Sequence, residues 1–272
     1  MKTIIAIASC IFFCSCISAQ KTYVASIPAG DAVRTFLSIP NKDSVDFIRL
    51  QLNLNNNNYH LHVNYGISKP NTNGFINGGT KNDFNGTVTK EKNIYQLSYN
   101  NKVLNLIEFN NDLLHILDAS NNLVIGNGGW SYTLNNISPL HEDEIATAVT
   151  LTPFKDSLVY EGRTPCGVPG IIEPGKKCYK LKWRISFYND ASNLYKGKCF
   201  IKTPYYSQGG KSGNWEMVKH DGQVSFLLKD DTGKIFLYLL KAADNILLFT
   251  DANGKLLVGN EDFSYTLNRM FI

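Results

Sequence analysis

The chain has 272 residues, of which 43% are hydrophobic and 12% aromatic, with nine prolines and a formal charge of +4. This composition excludes a disordered chain, which lacks the apolar surface needed to offset the conformational entropy lost on folding. The positive excess is small and spread along the sequence, so the clustered Lys/Arg footprint of a nucleic-acid binder is absent.

The first element in chain order is a leader. Lys2 precedes an apolar run from Ile4 to Ile17 and then small and polar residues. That is the layout of a secretory signal peptide, with an apolar centre too short to span a bilayer. Residues 1–19 are assigned to the signal, and two processing routes are legible. Cleavage after Ala19 leaves Gln20 as the mature N-terminus of a soluble protein. Alternatively, Phe13-Cys14-Ser15-Cys16 is a loose lipobox, and lipidation of Cys16 tethers the chain to a membrane. No later apolar stretch is long enough to cross a bilayer, so membrane contact runs through the N-terminal lipid at most. The expected location is the periplasm, the outer membrane or the extracellular space.

The next segment, Asp31 to Leu37, places Ala32, Val33, Phe36 and Leu37 at helical spacing, with Asp31 as cap and Pro40 limiting the helix to about two turns. Strand patterning follows. Ile48, Leu50, Leu52 and Leu54 alternate with Phe47, Arg49, Gln51 and Asn53, and Tyr59, Leu61, Val63 and Tyr65 repeat the pattern. Period two marks half-buried strands. Lys69 to Gly79 reads as a long loop of the kind that carries binding residues.

Self-similarity is the strongest internal signal. Asp118-Ala119, Leu123, Gly126-Asn127 and Ser131-Tyr132-Thr133-Leu134-Asn135 recur as Asp251-Ala252, Leu256, Gly259-Asn260 and Ser264-Tyr265-Thr266-Leu267-Asn268. A period this long indicates duplicated domains rather than a solenoid. The chain therefore divides into a first module at 20–137, a polar linker at 138–150 and a second module at 151–272. Turn residues such as Asn55 to Asn58, Asp221-Gly222 and Asn253-Gly254 join short strands into antiparallel meanders. A meander of about eight strands buries its apolar face by closing on itself, so the expected fold is all-β, two tandem small antiparallel barrels of lipocalin-like form.

With Cys10, Cys14 and Cys16 in the leader, Cys166, Cys178 and Cys199 remain, all in the second module. In an oxidising compartment a Cys166–Cys178 disulfide is expected, stapling the short Pro/Gly-rich segment between them. Cys199 is then left over, as a buried small hydrophobe on a strand or, alternatively, as a reactive thiol.

Val159-Tyr160-Glu161-Gly162-Arg163-Thr164-Pro165-Cys166, a strand at Lys182 to Tyr188, Gly213-Asn214-Trp215 and Asp262-Phe263-Ser264-Tyr265 together resemble the N-terminal domain of NlpE-type lipoproteins. These are small lipocalin-like barrels of the bacterial envelope associated with copper resistance, surface sensing and envelope stress. The resemblance covers roughly the second half of the chain. It implies an NlpE-like barrel with a family-specific surface around Arg163, Cys166, Cys178 and Trp215; the alternative is that Arg163 and Trp215 plug and cap the barrel. One departure weakens a copper or redox role: the family's second cysteine, three residues after its first, is here Pro169.

Other candidates have plainer readings. His60 and His62 share one strand face at a spacing that can bind metal, yet no third ligand follows in sequence, and a solvated surface explains them. Gly209-Gly210-Lys211-Ser212 lacks the earlier glycine of a phosphate-binding loop and reads as a hairpin. His141-Glu142-Asp143-Glu144 reads as polar linker. No nucleophile elbow or segregated carboxylate pair is present. The functional expectation is thus a non-enzymatic exported binding or sensing protein without cofactor or bound metal. Its partner is expected to be another envelope protein or a small apolar ligand. The alternatives are a lipocalin-like carrier of a small apolar ligand and a copper-handling or other metal-handling lipoprotein.

Intact mass of the protein purified from its native host separates the processing routes. A mass beginning at Gln20 is expected for the soluble route, and a lipid-modified Cys16 would establish the anchored one.

Overall fold

The computed structural model describes residues 20–140, 150–154, 157–172, 177–190, 192–204 and 209–271. The leader with Cys16, the run His141-Glu142-Asp143-Glu144 and most of the linker lie outside the described residues. The fold is two closed eight-stranded antiparallel barrels in tandem. The first comprises β1 (Lys21–Pro28), β2 (Phe47–Asn55), β3 (Asn58–Gly66), β4 (Thr80–Glu91), β5 (Ile94–Tyr99), β6 (Lys102–Asn110), β7 (Leu113–Ile116) and β8 (Thr133–Asn136). The second comprises β9 (Leu158–Thr164), β10 (Leu181–Asp190), β11 (Asn193–Lys202), β12 (Lys211–His220), β13 (Gln223–Lys229), β14 (Ile235–Ala243), β15 (Ile246–Thr250) and β16 (Thr266–Met270).

Both barrels are simple meanders that close when the last strand pairs with the first, β8 on β1 and β16 on β9. Tight turns make this possible. Asn100 and Asn101 adopt φ of 45° and 60° between β5 and β6, and Asp221 and Gly222 adopt 48° and 80° between β12 and β13. Two successive positive φ values give the turn whose twist matches that of paired strands.

The interiors are packed with side chains. Ile27, Ile48, Leu52, Val63, Leu114 and Ile116 fill the first barrel, and Ile185, Phe187, Ile201, Leu228, Leu239 and Phe249 fill the second, all with 0% exposure. A void large enough for water would leave accessible surface on its walls; these twelve side chains have none, and the other buried core residues of the two barrels are at most 8% exposed.

Each barrel is also covered at one end by the segment joining its first two strands. In the first this is the helix α1 (Asp31–Leu37), whose Val33, Phe36 and Leu37 are buried. The helix lies where the sequence placed it, but Gly30, not Asp31, is its N-cap, and no side chain caps it. In the second barrel the described residues of the corresponding segment contain no helix. Val168 and Ile171 plug the end instead, and the Cys166–Cys178 disulfide, with Cα atoms 5.9 Å apart, holds the loop. Both caps are pinned in one way: the Tyr132 hydroxyl takes a backbone hydrogen bond from Gly30, and the Tyr265 hydroxyl takes one from Gly167 at 3.0 Å.

The two barrels pack against each other through their copies of the repeated segment. The Gly126 N–H donates to Asn268 Oδ1 at 2.7 Å, and the Gly259 N–H donates to Asn135 Oδ1 at 2.8 Å. Ser131 meets Ser264 at 2.5 Å, and Thr266 donates to Thr133 at 2.9 Å. Each of these pairs joins a residue of one copy to the matching residue, or its reciprocal, in the other. This is the contact pattern of a two-fold symmetric dimer, realised within one chain. An apolar patch flanks it, formed by Phe109 and Leu113 of the first barrel with Leu240, Ala242, Ile246, Leu248 and Leu256 of the second.

His115 breaks the symmetry, because its counterpart in the second copy is Leu248. Its Nε2 lies 2.9 Å from the Val124 carbonyl and its Nδ1 lies 2.9 Å from the Thr133 hydroxyl. The carbonyl requires an N–H at Nε2, so Nδ1 accepts from Thr133, which in turn accepts from Thr266. Burial lowers the His115 pKa to about 4, against the opposing effect of the Val124 carbonyl. Its folded-state value is therefore below the unfolded one, so the unfolded chain takes up a proton first as the pH falls. Stability should drop between pH 6.5 and about 4 by up to roughly 3 kcal/mol and then level off as far as this group is concerned. Urea unfolding at pH 7 and pH 4.5 measures this. H115L, which installs the residue of the second copy, should remove that share of the pH dependence.

Candidate functional site

The residues singled out from the sequence are partly brought together. Arg163 lies on the outer face of β9, with its guanidinium 5.3 Å from the Trp130 ring. Trp130 stacks on Phe47 at 4.7 Å, and Phe47 stacks on Phe75 of the long loop at 4.2 Å. Phe47, expected among the outward residues of β2, is consequently buried at 1% exposure. The stack ties the loop of the first barrel to the wall of the second.

Trp215 is elsewhere. It sits inside the second barrel at 1% exposure, packs against Phe187 and Phe226, and donates its indole N–H to the Tyr188 carbonyl at 3.0 Å. It fills the barrel, as an aromatic with one polar edge commonly does. Cys166 and Cys178 are joined and serve the cap. Cys199 is buried in β11, where burial pushes its thiol up to about 12.

Around Arg163 the outer wall of β9, β10 and β11 forms a groove of about 730 Å³. Lys182 is paired directly across from Arg163, and Arg184 lies across from Lys202 on its other side. Alternation along each strand aims all four outward, since Trp183 between Lys182 and Arg184 points into the barrel. Arg184 forms an ion pair with Glu161. Arg163, Lys182 and Lys202 form no ion pair among the described residues. Beside them Lys180 has its pKa lowered, first by desolvation and then by Arg163 and Lys182. Phe200, Thr203, Gly209 and Gly210 complete the wall, and Gly128 contributes from the first barrel. The sequence reading reached Arg163 but missed Lys182, Arg184 and Lys202, which become neighbours only through the strand register.

The histidine pair on β3 also acquires a partner that the sequence did not reveal. Asp83 of β4 places Oδ1 3.0 Å from His60 Nε2 and 2.9 Å from His62 Nδ1. These hydrogen bonds, chiefly that of His62, hold the Asp83 carboxyl below its usual value. Among the described residues no group of three or more His, Cys, Asp or Glu side chains is arranged to hold a metal ion.

Comparison with known proteins finds no matching family model, no matching curated protein and no matching solved structure.

The staple has a measurable consequence. C166S/C178S should lower the unfolding free energy by about 2–3 kcal/mol by freeing the loop in the unfolded chain, while far-ultraviolet circular dichroism at 25 °C stays unchanged. In the protein beginning at Gln20, alkylation before reduction should label no thiol when folded and one, Cys199, after unfolding in urea.

Proposed function

We propose that the protein is an exported, non-enzymatic binding or sensing protein of the NlpE-like type, in which both barrels are filled scaffolds and recognition takes place on their outer walls. The supporting observation is the contrast between packed interiors and an open, cation-lined groove outside. A carrier of small apolar ligands needs a hollow barrel, and eight strands enclose barely enough space for side chains once large residues point inward. Here Tyr23, Phe36 and Leu52 occupy the first barrel and Phe187, Trp215 and Phe226 the second. The metal-handling alternative loses the Cys166/Cys178 pair, because both are spent in a disulfide and metals bind thiolates, and Cys199 is buried.

Export rests on the leader and on the disulfide, which forms and persists in oxidising compartments. The partner on this reading is a soluble ligand or another envelope component that meets the groove and the aromatic stack beside it.

Titration with a neutral apolar dye, N-phenyl-1-naphthylamine, tests the scaffold reading. No saturable fluorescence increase is expected. Stoichiometric uptake of one dye per barrel would contradict it and restore the carrier.

A further inference from the structure

The outer-wall groove carries features that the barrel fold does not require, and the protein contains its own control. The closing ladders align the two copies residue by residue. Val24 opposite Asn135 matches Glu161 opposite Asn268. Following the register outward, Ser26, Arg49, Gln51 and His62 of the first barrel occupy the places of Arg163, Lys182, Arg184 and Lys202. Of the first set Arg49 alone carries a permanent charge, and it is neutralised by Asp262 across the seam. The same wall folds equally well without the cations, so the charge in the second barrel is not a structural need. Like charges set directly opposite on neighbouring strands cost stability, and Lys182 faces Arg163 while Arg184 faces Lys202.

A second, independent observation lies in the same groove. Thr203 is buried to 7% exposure, lines the groove, and has a hydroxyl with no hydrogen-bond partner among the described residues. A buried hydroxyl left without a partner is destabilising. The groove thus holds uncompensated positive charge and an unpaired polar atom side by side, next to the apolar edge of Phe200.

We propose that this groove binds a small soluble oligoanion, a molecule carrying at least two phosphate, sulfate or carboxylate groups. Strand spacing and rise place the cations over a patch about 10 Å across, so one anionic group meets Arg163 and Lys182 while another meets Lys202, Arg184 beside it being held by Glu161. Thr203 supplies a neutral donor. Arginine engages such oxyanions bidentately and lysine as a point charge. The volume of about 730 Å³ suits a compact ligand of several such groups and not a single inorganic ion. The inference rests on the outer-wall reading above and specifies its ligand.

The experiment is calorimetric titration of the purified protein at pH 7 with tripolyphosphate and with trigalacturonate, at 50 and 300 mM salt. Saturable binding of either at one site per chain, weakening as salt rises, is expected; which one binds identifies a phosphate or a carboxylate ligand. K182E/K202E should weaken binding at least about tenfold through reversed charge. K42E/K219E, the same charge change at exposed lysines outside the groove, should leave it within about twofold. T203V, which keeps the charge and removes the hydroxyl, should weaken it by a smaller factor. Binding of neither anion, or equal loss in both double variants, would overturn the proposal. Either result leaves the scaffold reading standing, since that is decided by the neutral dye.

Discussion

Two asparagine side chains, Asn135 and Asn268, each reach across to the backbone of the opposite barrel, and much of the architecture depends on that exchange. Each satisfies the N–H of a glycine, Gly259 or Gly126, where an added Cβ would lie 2.2 Å from the carbonyl oxygen of Phe263 or Trp130. Glycine is therefore needed for the loop to close, and the loop must close for its N–H to point at the asparagine. The loops are held by Asn127 and Asn260, which take the backbone N–H groups of Gly129 and Trp130 and of Asp262 and Phe263. Polar groups desolvated between two barrels are costly unless paired. The two glycine N–H groups are paired reciprocally by the asparagine Oδ1 atoms, although only Asn135 also places its Nδ2, on the Asn260 carbonyl; the shared Oδ1 bond gives a physical reason why this segment is so alike in the two copies.

The interface also determines where the copies are free to differ. The faces along β6 to β8 and β14 to β16 are bound to one another, and the interiors must remain full. That leaves the end caps and the outer walls of the early strands. There the divergence is concentrated: a helix against a disulfide-held loop, and a neutral wall bearing His60 and His62 against the cationic groove. Arg163 connects the two regions, since it lines the groove and also covers Trp130 from the first barrel. The aromatic stack at the seam thereby holds a groove residue in place, so the first barrel acts as a brace for the wall of the second.

The barrels were legible in the sequence because period-two alternation and Asn/Asp/Gly turns are local signals, and the repeat was legible because ten identities share one register. What the repeated residues do was not legible. Ser131, Thr133 and Asn135 look like ordinary outward strand residues, and their burial at 6%, 2% and 1% arises only because a second barrel covers them. A weaker signal was available, since the run Ile246-Leu247-Leu248-Phe249 of β15 is apolar on both faces, which a barrel with a solvated exterior does not need. The groove escaped because Arg163 and Lys202 are far apart in sequence and meet through the pairing of three strands. Trp215 was open to two readings, surface residue or barrel filler, and the alternation of Gly213, Trp215 and Met217 with Ser212, Asn214 and Glu216 points the indole inward.

The repeated segments weld the two barrels into one cooperative body. Differential scanning calorimetry of the protein tests it most directly. One transition, with a calorimetric enthalpy equal to the van't Hoff enthalpy for the whole chain, is the predicted result. Two separate transitions, each with the enthalpy of a single barrel, would show that the barrels unfold independently and would contradict the account.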